Sequence, residues 1–187
     1  MSRWSPDSFA QAWNFATFYH QGQTYGGVAE GVQVEYLNHV GSVAAEVIWA
    51  LPERPDLRGD LAVQCALLHD VIEDTRATLA LVRKTFGAAV ADGVQALTKD
   101  KRLPSKAAQI ADSLARIQAQ GHEIWMVKLA DRIANLYHPP FYWDNRRIEE
   151  YRREAMAIHA ALHPASPALA ERLRAKIERY RTFLRAE

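Results

Sequence analysis

The sequence predicts an all-α protein, a compact helical bundle with room for one short β-hairpin near residues 24–35. Three observations predict it. Helical periodicity of the apolar residues dominates the chain. No internal repeat, low-complexity tract or linker divides it, so residues 1–187 read as a single domain. The long helical runs lack heptads, which favours crossing helices over a coiled coil.

Asp7 or Ser8 is the expected cap of a first helix, which carries Phe9, Ala12, Trp13, Ala16 and Tyr19 or His20 on one side. Gly22, Gly26, Gly27 and Gly31 mark an irregular stretch. Val32 and Val34 alternate there with polar residues, as a hairpin strand would. A second helix is expected from Tyr36 to Ala50, stopped by Pro52, and residues 52–59 read as a loop. A third runs from Leu61 to about Asp74. Thr78 starts a fourth, which Gly87 ends. Further helices are expected near Ala88–Thr98, Ser105–Gln120, His122–Tyr137 and Ile148–His163. The last, over 166–185, opens with Ser166 as cap and Pro167 at the first helical position. Its stripe of Leu169, Leu173, Ile177, Tyr180 and Leu184 is ordinary core packing.

Composition bounds the function. Hydrophobic residues make up 49% and charged residues 24%, enough for a real core and far from the disordered class. A net charge of +1 gives no broad attraction for nucleic acid, but a few basic residues suffice for a small phosphorylated ligand. Cys65, the single cysteine, excludes an intrachain disulfide and points to a reducing, cytoplasmic setting. Its apolar surroundings read as those of a buried small hydrophobe rather than a catalytic thiol. The N-terminal Met1–Asp7 has no apolar core and reads as no signal peptide. No apolar stretch is long enough to span a bilayer. A homo-oligomer is compatible with the sequence.

The chemistry centres on His69 and Asp70, inside Ala66-Leu67-Leu68-His69-Asp70-Val71-Ile72-Glu73-Asp74-Thr75. Ionisable residues here interrupt an apolar helix, and the pairs His69/Glu73 and Asp70/Asp74 should each stack on one helix face. Burying them is costly without a partner, and a divalent cation is a partner that prefers imidazole and carboxylate. His39 and Asp131, from two other helices, complete a set of two histidines and two aspartates. Asn135 lies one turn beyond Asp131. Such a site with open positions can activate water. A lone His-Asp pair could be a surface hydrogen bond and an acidic cluster a solvated helix end; the full set in this order is harder to dismiss. His20, His122, His138, His159 and His163 lack this context and read as surface or helix-end residues.

The ordered set resembles the HD superfamily, in which His…His-Asp…Asp binds one metal ion. More narrowly, the stretch from His69 to Thr75 resembles the His-Asp-x-x-Glu-Asp-Thr of RelA/SpoT-type hydrolases. Tyr36-Leu37-Asn38-His39 and Lys128-Leu129-Ala130-Asp131-Arg132-Ile133-Ala134-Asn135-Leu136 resemble two further segments of those enzymes. Phe86-Gly87 and Leu97-Thr98-Lys99-Asp100-Lys101 fall where similar strings occur. The resemblance covers roughly residues 9–159 and implies an HD-domain helical bundle, a stand-alone small alarmone hydrolase of the stringent-response type. It implies removal of the 3′-pyrophosphate from a small nucleotide such as ppGpp, with one Mn²⁺ per chain held by His39, His69, Asp70 and Asp131. Glu73 and Asp74 would orient or deprotonate the attacking water. Asn135 would contact the ribose or help hold the site. The segment from Trp143 to Tyr151 resembles the family's Trp…Arg…Glu-Tyr and implies Arg147 and Tyr151 as phosphate contacts; Lys101 and Lys106 are further candidates.

One departure bears on substrate. Where the family reads His-x-Gly-Gln-x-Arg-Lys, this chain has His20-Gln21-Gly22-Gln23-Thr24-Tyr25-Gly26. Tyr25 keeps the power to stack on a base but lacks the charge and donors of an arginine. Glu30 or Gln33 could face a base edge instead. An adenine alarmone, (p)ppApp, is therefore slightly favoured over (p)ppGpp. Two alternatives stay open: another HD phosphohydrolase acting on small nucleotides, and a non-catalytic nucleotide sensor.

Overall fold

The computed structural model describes residues 4–185. Met1, Ser2 and Arg3, which open the stretch read above as no signal peptide, lie outside the described residues. Helix α1 (Pro6–Tyr19) is capped by Ser5, whose Oγ accepts the backbone N–H groups of Asp7 and Ser8 at 3.1 and 3.4 Å. The expected cap at Asp7 or Ser8 is thus displaced. Pro6 needs no N–H acceptor and carries a helix-ready φ, so the helix begins on it and the capping duty falls one residue earlier.

Strands β1 (Thr24–Gly26) and β2 (Gln33–Glu35) pair antiparallel, with Tyr25 opposite Val34. This is the hairpin expected near 24–35. The chain passes straight from β2 into α2 (Tyr36–Ala50) and then a 3₁₀ turn over Leu51–Glu53. The elements that follow are α3 (Gly59–Leu68), α4 (Val71–Asp74), α5 (Leu79–Phe86), α6 (Ala88–Leu97) and α7 (Lys106–Gln118). The chain closes with α8 (His122–Asn135), α9 (Asn145–Leu162) and α10 (Pro167–Tyr180). Among the described residues no helix is long and apolar enough to cross a membrane.

The expected third helix is two helices. It breaks at His69 and Asp70, where Asp70 takes φ −104° and ψ −1°. The Asp74 N–H still reaches the Asp70 carbonyl at 2.9 Å, so the break reorients side chains while keeping one turn of spacing. Past the break His69 meets Asp70 and His39, whereas Glu73 meets Lys99. The last helix ends at Tyr180 and a 3₁₀ turn follows over Arg181–Phe183. Leu184 therefore leaves the stripe and stands 38% exposed. Helix α9 starts earlier than expected, at Asn145, because the Asp144 carboxylate caps it through the Arg147 N–H at 2.7 Å.

Helices α3 and α8 form the centre. α3 is buried at Gly59, Leu61–Val63 and Cys65–Leu68, and α8 at nearly every position from Glu123 to Ile133. A helix buried all round must pack on every side. α2, α8, α6 and α1 pack on α3, and α9 and α10 pack on α8. Polar residues buried in this apolar centre include His39, His69, Lys128, Asp131 and Arg132. Their presence there demands mutual compensation.

Candidate active site

Three packed helices bring four ligand-type side chains to one point. His39 comes from the buried face of α2, His69 and Asp70 from the break after α3, and Asp131 from the middle of α8. The Nε2 atoms of His39 and His69 are 3.2 Å apart. His69 Nε2 is 2.9 Å from Asp70 Oδ2, and His39 Nε2 lies 3.8 Å from that oxygen. Asp131 Oδ1 lies 3.5 Å from His39 Nε2 and 3.9 Å from His69 Nε2.

One ligand-type atom each from His39, His69 and Asp70 lies within 4.8 Å of the others, a grouping that could hold a divalent cation, with Asp131 beside it. His69 Nδ1 sits 2.7 Å from the Ala66 carbonyl, which can only accept, so Nδ1 carries a proton. In the neutral ring Nε2 then presents a lone pair toward a second imidazole nitrogen and carboxylate oxygens. Lone pairs converging in a buried place need a positive charge among them. With no ion among them a proton takes that place: burial opposes charge on His69, yet the Asp70 and Asp131 carboxylates outweigh it and push its pKa up to about 9. Burial likewise opposes ionisation of Asp70 and Asp131, but His69 beside the first and Lys128 beside the second hold both below the usual carboxylate range.

A surrounding set of bonds fixes the ligands. The Tyr36 hydroxyl donates to Asp70 Oδ2. Burial and the Asp70 carboxylate push that phenol well above its ordinary pKa, so it remains a donor. Lys128 Nζ donates to Asp131 Oδ2 at 2.8 Å, and Asn135 Nδ2 donates to Asp131 Oδ1 at 2.5 Å. His20 stacks on Tyr36 with ring centres 4.9 Å apart, and its Nδ1 lies 2.6 Å from Gln23 Oε1. It was expected at a surface or a helix end. It does follow the end of α1, but it is buried, with the Tyr36 ring stacked on it.

The expected acidic pair divides. Asp74 faces the cavity. Burial, then the Asp70 and Glu73 carboxylates, raise its pKa. Glu73 turns away: its Oε2 accepts the Lys99 backbone N–H at 2.9 Å and its Oε1 the Lys99 ammonium at 3.4 Å. Lys99 is half-buried, which opposes its charge, but the Glu73, Asp131 and Asp70 carboxylates more than compensate and raise its pKa.

Beside the ligands opens a cavity of about 620 Å³, in the size range of small-molecule sites. Tyr25, Lys106, Asn135, Arg147 and Tyr151 all line it. Lys101 does not. It bonds Asp74 at 3.4 Å from outside, since the turn after α6 carries it past the opening. The cavity wall includes residues that sequence reasoning passed over: Lys99, Lys128 and Tyr142. Lys99 was within the quoted string from Leu97 to Lys101, and its place two residues after the end of α6 was the available signal. Arg147 lies over the Trp143 ring at 5.1 Å, and Arg132 lies over the Tyr151 ring at 4.1 Å.

Comparison with known proteins shows what the chain is similar to. The sequence profile of the HD domain matches residues 12–168. A curated protein of Danio rerio, named guanosine-3′,5′-bis(diphosphate) 3′-pyrophosphohydrolase MESH1, is 33% identical over 164 residues, covering 86% of this chain and 87% of its own. The Homo sapiens protein of the same name is 33% identical over 146 residues, covering 74% and 77%. Among solved structures, one described as a metazoan ortholog of SpoT that hydrolyses ppGpp superposes with a TM-score of 0.78. It is 27% identical, and the match covers 97% of this chain and 99% of that one.

Proposed function

Because the chain belongs to the HD domain family, we propose that it is a metal-dependent 3′-pyrophosphohydrolase of alarmone nucleotides, with Mn²⁺ as its ion. The observation that carries this reading is the convergence of His39, His69, Asp70 and Asp131 at the edge of a cavity that Lys99, Lys106 and Arg147 also line. A cation there, with basic side chains beyond it, suits a substrate whose reacting end is a diphosphate. The MESH1 relatives support it by their name. The single thiol, fully buried at Cys65, suits a reducing cytoplasmic setting.

His39, His69, Asp70 and Asp131 would hold the ion, which when bound lowers the pKa of water and offsets charge on phosphoryl oxygens. Asp74 faces the cavity with its pKa raised, so its carboxylate can take a proton from the attacking water. Glu73 acts one step behind, holding Lys99 on the cavity wall. Lys106, Arg147 and Tyr151 face the phosphates, and Asn135 the ribose. Tyr25 offers a neutral ring to the base, and an adenine alarmone is slightly favoured on that ground.

Product analysis of ppGpp, pppGpp, ppApp and pppApp with and without Mn²⁺ tests the proposal. Metal-dependent pyrophosphate release, with ppApp turned over better than ppGpp, is expected. Equal or better turnover of ppGpp removes the adenine preference. No release from any of the four overturns the activity.

A further inference from the structure

We propose that Tyr142 is a specificity-determining residue of this site, a ring on which the purine base of the substrate stacks. The inference rests on the nucleotide-hydrolase reading above. Tyr142 lies in the loop between α8 and α9, lines the cavity, and is 68% exposed. It packs edge-on against Phe141 with ring centres 5.4 Å apart, which leaves a broad aromatic face for a ligand.

Gly26 lies beside this ring. A Cβ built on Gly26 would lie 3.9 Å from Tyr142 Cε1, in ordinary van der Waals contact, so the loop brings the ring against the end of β1. The backbone does not require glycine there, because the positive-φ glycines among the described residues are Gly22, Gly31 and Gly87. The next residue is a contrast. A Cβ on Gly27 would fall 2.6 Å from Val32 Cγ1, so the closure of the hairpin excludes a side chain at that point. Gly27 serves the closure of the hairpin, while Gly26 marks where the Tyr142 ring meets it.

Neighbouring residues divide the substrate between them. Tyr25 is fixed, its hydroxyl accepting from Asn38 Nδ2 at 2.9 Å and its ring edge-on to Tyr36 at 6.3 Å. Trp143, next to Tyr142, carries the guanidinium of Arg147 on its face. One short loop therefore offers a ring to the base and, through Trp143, a cation to the phosphates. Every base has a π face, so a neutral tyrosine ring gains stacking without asking for a particular edge pattern. The ring selects for a planar base, and the choice between bases falls to the polar groups around it.

The test is calorimetric binding of adenosine 3′,5′-bisphosphate to the full chain, for the wild type and for Tyr142→Ala, Tyr142→Leu and Tyr142→Phe. Inorganic pyrophosphate is the base-free control. Tyr142→Ala and Tyr142→Leu should each weaken the bisphosphate about tenfold, on the scale of lost base stacking. Tyr142→Phe should bind like the wild type, and pyrophosphate should bind all four equally. Unchanged binding by Tyr142→Ala, full affinity in Tyr142→Leu, or a parallel loss for pyrophosphate would each overturn the proposal. Failure of the wild type to hydrolyse any alarmone would instead sink the activity, while the binding comparison would still judge Tyr142.

Discussion

His39 and His69 face each other through their Nε2 atoms at 3.2 Å, one from α2 and one from the break after α3. Two imidazoles meeting this way share at most one proton, and the Asp70 and Asp131 oxygens crowd the same point. A cation resolves the conflict, and the first prediction follows from it. Chelation should abolish hydrolysis and lower the melting temperature, and Mn²⁺ should restore both, because an ion that binds the folded chain alone adds its binding free energy to stability. Elemental analysis should find one ion per chain in the wild type and none in Asp70→Ala or His69→Ala. Full metal content in Asp70→Ala would show that Asp70 is no ligand.

Asp74 and Glu73 should fail differently. Asp74→Asn should keep the metal and lose about 10²–10⁴-fold in kcat, the scale of lost general acid–base help. Glu73→Gln should raise KM as well, because Lys99 loses the carboxylate that fixes it. Steady-state kinetics of both variants check this. A fully active Asp74→Asn would return the water-facing role to Glu73.

Arg147→Ala should chiefly raise KM, since the guanidinium that Trp143 holds at the cavity is removed. An unchanged KM would count against a phosphate contact there.

Gly93→Ala should be overpacked. A Cβ at Gly93 would lie 2.5 Å from Ile124 Cδ1 and 2.9 Å from Cys65 Sγ, in the buried contact between α6, α3 and α8. A loss of about 1–3 kcal/mol is expected, read from urea unfolding. An unaltered midpoint would mean that Ile124 moves aside freely.

Cys65 should be inert. It is fully buried, with burial pushing the thiol well above its ordinary pKa. Iodoacetamide should label it only after unfolding. Labelling of the native protein would reveal local opening of α3.

Much of this molecule was legible in its sequence. Long amphipathic runs gave the helices, and the spaced glycines with Val34 gave the hairpin. His39, His69, Asp70 and Asp131 stood out because charge is costly in apolar helices, and the fold does bring them together. What stayed hidden depends on partners distant in sequence or on local backbone detail. Periodicity could not see the break at Asp70, where one residue leaves helical geometry without a proline or glycine to announce it. Glu73 turned to Lys99 through a bond across 26 residues. His20 is buried by Tyr36, and Tyr142 meets Gly26 from a separate loop. A pattern confined to neighbouring residues carries no trace of such meetings.

The ligand cluster hangs from α2, α3 and α8, inside the packed centre, whereas Tyr25 and Tyr142 hang from a three-residue strand and an irregular loop at its margin. Substitutions at the first group disturb the core and the chemistry together. Those at the second disturb neither, because little else leans on them. The proposed metal chemistry is thus anchored in the packed core and the proposed base contact at its margin. On that reading a few substitutions at the rim would shift base preference while leaving the packed centre in place.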